Sequence, residues 1–164
     1  MGKRNYLIEG VSGAGKTAVC HELRRRGFHA INGDRELRQG DPEMDMDDRA
    51  LSPLWDVEKV KAFVANKNEA VTFFCGGSRN FSQFIELFDR VLILDVDLDT
   101  CLQRIDERVA RDPTDWGGKP EELEIIVRLH QTKEAIPSSG VTIDATRPLE
   151  SVVDEILTCT QSLK

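Results

Sequence analysis

The octapeptide Gly10-Val11-Ser12-Gly13-Ala14-Gly15-Lys16-Thr17 matches G-x-x-x-x-G-K-[ST] at every fixed position. With this chain's composition such a match arises by chance in about one sequence of this length in two hundred. A strand-like run, Tyr6-Leu7-Ile8, leads into it, and a helical run from Lys16 to Arg26 leads out, with Gly27 as its natural stop. Strand, glycine-rich turn and helix in immediate succession leave the backbone little freedom. The glycines let successive N–H groups turn inward at a helix N-terminus, where the dipole is positive. That arrangement cradles phosphate oxygens, with Lys16 in reach of β- and γ-phosphates and the Thr17 hydroxyl able to ligate Mg²⁺. Gly10, Ser12, Gly13, Ala14, Gly15, Lys16 and Thr17 are therefore the expected phosphate-binding set, and Thr17 an expected metal ligand.

The rest of the chain alternates between strand and helix patterns. Phe28-His29-Ala30-Ile31 is a second strand candidate, and Asp56 to Asn66 carries Val57, Val60, Phe63 and Val64 at helical spacing. Ala70 to Cys75 is a third strand, broken by Gly76-Gly77, and a short helix is expected through Phe81, Phe84, Ile85 and Phe88. Arg90 to Val96 is β-branched and nearly continuous, the pattern of a strand buried on both faces. Leu98, Cys101, Leu102, Ile105 and Val109 then form one helical stripe, and a further helix is expected from about Glu121 to Glu134. Val141-Thr142-Ile143 is the last strand, followed by a helix with Leu149, Val152, Val153, Ile156 and Leu157 on one face. Doubly buried strands separated by helices imply parallel pairing with right-handed crossovers, hence a three-layer α/β domain with five strands. At 164 residues, 40% hydrophobic and 31% charged, the chain is expected to form one such domain spanning its whole length, 1–164. The segments from Gly40 to Leu54 and from Arg111 to Pro120 fall outside the pattern and read as insertions over one edge of the sheet, where ligands of open α/β folds sit.

Composition removes several functions. Twenty-two basic against twenty-nine acidic side chains give a net charge of −7, which disfavours nucleic acid backbones as partners. The longest apolar stretches, such as Val91 to Leu94, are far below the roughly twenty residues of a spanning helix, and no targeting segment is visible. Gly2 lacks the Ser or Thr that myristoylation wants at position six, which is Tyr6. Cys20, Cys75, Cys101 and Cys159 have no paired spacing and read as reduced thiols of a cytoplasmic protein. Asn66-Lys67-Asn68-Glu69 ends in Glu and precedes a strand, so the base clamp of a GTPase is missing. The third strand ends Phe73-Phe74-Cys75-Gly76-Gly77 without the acid by which a hydrolysing ATPase holds Mg²⁺. The acidic run from Asp41 to Asp48 lacks the glycine and terminal Glu of a calcium loop and reads as solvated. His21, His29 and His130 show no metal or catalytic spacing.

The carboxylate the loop calls for has a candidate in Asp34, which follows the second strand in Asn32-Gly33-Asp34-Arg35. It is placed to accept a hydroxyl proton or hold a Mg²⁺-bound water, and equally to cap a helix. At this point the chain resembles the small P-loop kinases of the nucleoside and nucleotide kinase type, a group that includes shikimate and gluconate kinase. More closely, it is similar to bacterial adenylate-kinase-like ATP-binding or nucleoside kinase proteins. The matching stretches are Gly10–Thr17, Asn32–Arg35, Phe74–Asn80, Trp116–Pro120 and Ile143–Pro148. The resemblance implies a sheet of order 2-3-1-4-5, ATP and Mg²⁺ as cofactors, a lid at about 111–120 and an acceptor-side insertion at about 35–67. It also implies that Arg79 clamps the acceptor, against the alternative of an arginine tied to acids such as Asp89. Arg104, Arg108 and Arg111, at i, i+4 and i+7, resemble arginines leading into the lid; the alternative is a solvated face paired with Asp106, Glu107 and Asp112. Thr146, Arg147 and Pro148 resemble the loop on which the adenine base rests. The expected activity is transfer of the γ-phosphoryl group of ATP to a hydroxyl of a small metabolite, a nucleoside among the candidates. Lys16, Asp34, Arg79, Arg108 and Arg111 would be its catalytic residues and Asp34 a second metal ligand. A nucleotide-binding regulatory module and a nucleic-acid end kinase are the alternatives.

Overall fold

The computed structural model describes residues 4–10, 13–37, 55–77, 81–113, 117–132 and 140–161, without the side chains of Asp34 and Arg35. Ser12, Arg79, Trp116 and the acidic run from Asp41 to Asp48 therefore lie outside the described residues, as does the Asp34 carboxylate.

Five strands, β1 (Arg4–Gly10), β2 (His29–Asn32), β3 (Val71–Cys75), β4 (Arg90–Asp95) and β5 (Val141–Asp144), form one sheet of order β2-β3-β1-β4-β5. All pairings are parallel, with Ile8 opposite Cys75, Gly10 opposite Leu94, and Asp95 opposite Asp144. This is the expected order. β1 takes the centre because every residue from Asn5 to Gly10 is buried. The helices are α1 (Lys16–Arg25), α2 (Gly33–Glu36), α3 (Val57–Ala65), α4 (Leu98–Arg111), α5 (Pro120–Thr132) and α6 (Leu149–Gln161). Gly27, at φ 92, ends α1 where the sequence placed its stop, and the Phe28 amide turns back to the Leu23 carbonyl at 3.0 Å. Asp56 caps α3 by accepting from the amides of Glu58 and Lys59 at 3.0 and 3.3 Å.

Strict alternation along the strands divides the core. Tyr6, Ile8, Phe73, Cys75, Leu92 and Leu94 point to one face, where α1, α4 and α6 cover them. Leu7, Ile31 and Phe74 point to the other, under Leu37, Trp55, Val60 of α3, Phe84 and Phe88. The short helix expected through Phe81–Phe88 is instead two 3₁₀ turns, Phe81–Gln83 and Ile85–Leu87. Phe84 sits between them at φ −141°, ψ 3°, and its ring stacks on Trp55 at 5.6 Å with 4° between the planes. A continuous α-helix would not give Phe84 that backbone conformation, and the break falls at the residue whose ring stacks on Trp55.

Candidate functional site

Glycine shapes the phosphate loop. Gly13 and Gly15 have φ of 85° and 100°, a region L side chains rarely adopt. A Cβ on Gly13 would sit 3.0 Å from the Cys101 carbonyl and 3.2 Å from its sulfur, so the loop lies directly against α4. A Cβ on Gly10 would meet the Leu94 carbonyl at 2.8 Å. Gly15 is the N-cap of α1 and offers no side-chain cap, and the first turn carries no acid. No acid of the helix's own first turn competes for the amides that open α1, which suits an anionic ligand. Lys16 Nζ donates to the Gly10 carbonyl, folding the cation back over the loop. Thr17 is exposed in the first turn of α1, and its hydroxyl is a hard oxygen donor of the kind Mg²⁺ takes.

Arg104 of α4 binds backbone. Its Nη1 donates to the Gly13 and Ala14 carbonyls at 3.4 and 3.2 Å, and its Nη2 to the Ala145 carbonyl at 2.6 Å. One guanidinium thus joins the phosphate loop to the loop after β5. That second loop is itself ordered. The Ala145 amide donates to the Asp95 carbonyl at 2.8 Å, and the Thr146 hydroxyl and amide donate to Asp144 at 2.5 and 3.0 Å. The Thr146 hydroxyl holds the Asp144 carboxyl below its ordinary value. Arg147 pairs with Glu155 of α6 at 2.9 Å, and the Pro148 carbonyl accepts from Val152 at 3.1 Å. In this loop the side chains secure the structure.

Arg108 is half-buried and Arg111, the last residue of α4, is exposed. Beyond them the far foot of the expected lid is anchored. Glu122 accepts from the amides of Gly117 and Lys119 at 3.0 and 3.3 Å, and Gly117, at φ 103°, leaves no room for a Cβ beside Ile105. Asp34 lies inside α2, immediately after β2, and the cap of that turn is Asn32 rather than Asp34. Glu36 closes the turn instead, accepting the Asn32 amide at 2.5 Å while pairing with Arg24 of α1 at 2.7 Å. Asp89, raised as a partner for Arg79, accepts the Asn5 amide at 2.7 Å and pairs with Arg4 at 3.6 Å.

Glu9 lies just beyond Tyr6-Leu7-Ile8, where the strand pattern in the sequence ends. It is fully buried in the last turnings of β1, on the same face as Leu7. An acid inside an otherwise apolar strand, one residue before the loop, was the available signal. All four cysteines are free, with Cys20, Cys75 and Cys101 buried, and a hydrogen bond from Cys75 lowers the Cys20 thiol. His29 contacts the Thr72 hydroxyl at 2.9 Å and His130 the Val96 carbonyl at 2.7 Å. Among the described residues no group of three or more His, Cys, Asp or Glu side chains could hold a metal, and no helix is long and apolar enough to cross a membrane.

A family model described as an AAA domain matches residues 7–126, from β1 into α5. Among solved structures, a gluconokinase from Sinorhizobium meliloti 1021 is similar at TM-score 0.63 and 21% identity, covering 98% of this chain and 93% of that one. A shikimate kinase from Aquifex aeolicus vf5 is similar at TM-score 0.64 and 17% identity, covering 96% of each chain. A sugar kinase from Janibacter sp. HTCC2649 follows at TM-score 0.57 and 19% identity, covering 95% of this chain and 93% of that one. None of the curated proteins compared matches the chain in sequence. At these identities the neighbours show the fold, that of the small P-loop kinases.

Proposed function

We propose that this chain, which belongs to the AAA domain family, is an ATP-dependent phosphotransferase that moves the γ-phosphoryl group to a hydroxyl of a small metabolite. The observation that carries the reading is the phosphate loop: two left-handed glycines, an α1 N-terminus without cap or acid, and Lys16 folded onto the Gly10 carbonyl. Three full-length neighbours are named as kinases of small hydroxylated molecules, which supports an acceptor of that class. A nucleoside belongs to the same chemical class and is kept as a candidate.

In this reading the loop amides and Lys16 bind the phosphates, and Lys16 follows the transferred group with its charge. Mg²⁺, held by Thr17 and Asp34, would neutralise charge on the phosphates. Asp34 accepts the acceptor's proton or holds a metal-bound water. Arg79 orients the acceptor, and Arg108 and Arg111 bring positive charge over the reacting phosphates from a lid at about 111–120. The insertion at about 35–67 forms the acceptor side, and the whole chain acts as one domain. The loop Thr146-Arg147-Pro148 supports the base. Four free cysteines suit a reducing compartment such as the cytoplasm.

The test is an ADP-release screen over adenosine and other nucleosides, D-glucose, D-gluconate, shikimate and an aminoglycoside. Catalytic release with one of these classes is expected, and Lys16→Ala should lower it by about 10²–10³. Stoichiometric release alone, independent of any acceptor, would instead support a regulatory nucleotide-binding module. Full turnover by Lys16→Ala would remove the loop from the mechanism.

A further inference from the structure

We infer that Trp55 is a positioning residue that sets the turn carrying Asp34 against the segment following Arg79, an inference that rests on the phosphotransferase reading above. Trp55 is fully buried within the expected acceptor-side insertion, directly after the segment Gly40 to Leu54. The Asp56 amide donates to the Leu37 carbonyl at 2.7 Å, so the chain leaves the α2 turn and returns to it at one point. The indole lies against Gly33, the residue before Asp34. A Cβ there would sit 2.2, 2.7 and 2.8 Å from Cζ2, Cη2 and Cε2 of the ring, so only glycine lets the turn and the ring occupy their places.

The same ring stacks on Phe84 at 5.6 Å, and Phe84 follows the segment that contains Arg79. Phe84 meets Phe88 edge-on at 6.2 Å, and Phe88 meets Phe74 of β3 at 5.0 Å. A continuous series of rings therefore runs from the sheet to Trp55 and ends on the backbone beside Asp34. Interiors this closely packed move as units, so a shift of Trp55 shifts that turn. Displacements of about 1 Å between reacting groups cost on the order of 10²-fold in rate. Trp55 need not touch either substrate to exert that effect.

The test uses the intact chain and four variants, Gly33→Ala, Trp55→Leu, the double substitution and Trp55→Phe. It measures kcat and KM with D-gluconate, shikimate, D-glucose and adenosine as acceptors. Gly33→Ala should lower kcat at least about 10-fold with the best of these acceptors and leave the KM for ATP within about twofold, since the phosphate loop packs on the opposite face. Trp55→Leu removes the atoms the new methyl meets, so the double variant should recover several-fold of the loss. Trp55→Phe, which keeps a ring for Phe84, should stay within about threefold of wild type and serves if the double variant does not fold. A Gly33→Ala kcat within twofold of wild type sinks the positioning role and leaves the kinase reading standing. So does a loss that tracks the unfolded fraction alone. A wild-type chain that phosphorylates none of the acceptors of the ADP-release screen above removes the kinase reading and this inference with it.

Discussion

Arg104 offers the sharpest separation between a residue that waits for nucleotide and one that holds the apo protein together. Its guanidinium already makes a 2.6 Å bond to the Ala145 carbonyl and a shared pair of 3.2 and 3.4 Å to Ala14 and Gly13. A hydrogen bond from a charged donor contributes about 1.5–3 kcal/mol, whereas a long, forked pair adds on the order of 0.5. The side chain is only half-buried, so water reaches the carbonyls once the arginine is gone, and the lower end applies: Arg104→Ala should cost about 2 kcal/mol. For a chain of 164 residues that corresponds to a fall in Tm of about 4–8 °C. Arg104→Lys keeps the charge but cannot span both loops from one nitrogen, so about half the loss should remain. The assay is thermal and urea unfolding without nucleotide. A side chain reserved for phosphate would leave the apo melting point untouched. An Arg104→Ala melt within about 1 °C of wild type would falsify the bracing role.

Gly13→Ala should destabilise by at least about 2 kcal/mol, combining a left-handed backbone with a Cβ 3.0 Å from the Cys101 carbonyl; an unchanged urea midpoint would show that the loop can move off α4. Asp34→Asn should keep ATP affinity, measured by calorimetry, and lose about 10²–10⁴ of transfer; unchanged turnover removes Asp34 from the chemistry. Glu22 is held at about 2 by hydrogen bonds from Arg25 and then Arg26. Its native value is depressed, so its contribution is complete above the ordinary Glu range near 4.3 and disappears as pH falls toward 2. Glu22→Gln should therefore show a shallower acid-induced loss of stability than wild type across that window. Parallel curves would mean the Arg25–Glu22–Arg26 contacts do not persist in solution.

The parts of the molecule visible in the sequence are those whose cause is local. Gly10–Thr17 follows from a backbone requirement met within eight residues, and Gly27 and Asp56 end or start helices by contacts two to five residues apart. Parallel strands could be read because burial on both faces leaves runs such as Val91–Leu94. What stayed hidden depends on partners remote in the chain. Phe81–Phe88 has helical spacing, yet it breaks at Phe84, whose ring stacks on Trp55 some thirty residues earlier. Arg104 shares a helical face with Arg108 and Arg111, and spacing alone gives the three one role. The structure instead spends Arg104 on carbonyls 90 residues before it and 41 after. Asn32, not Asp34, holds the N-cap position of α2, and its own amide is taken by Glu36, a contact that the Asp34 pattern does not announce.

The alternation of β1 carries a consequence for how such a protein can diversify. Ile8 faces the cluster that holds Ala14, Cys101, Ile105 and Ala145, which supports the phosphate loop and the loop after β5. Leu7, its neighbour, faces the cluster of Ile31, Leu37, Trp55, Phe74 and Phe84, which supports the Asp34 turn. Adjacent residues of one strand thus serve opposite halves of the site, and the halves come together only at the carboxyl ends of β1 and β3. There Gly10 begins the loop and the Gly76 amide donates to the Ile8 carbonyl at 3.0 Å. On the proposed reading, substitutions under Trp55 and Phe84 would reshape the acceptor side without entering the packing that holds the phosphate loop to α4. Changes at Gly13, Cys101 or Arg104 would act on the proposed nucleotide side and leave the aromatic series in place. The sheet contributes residues to both clusters, so on that reading it registers one half of the site against the other.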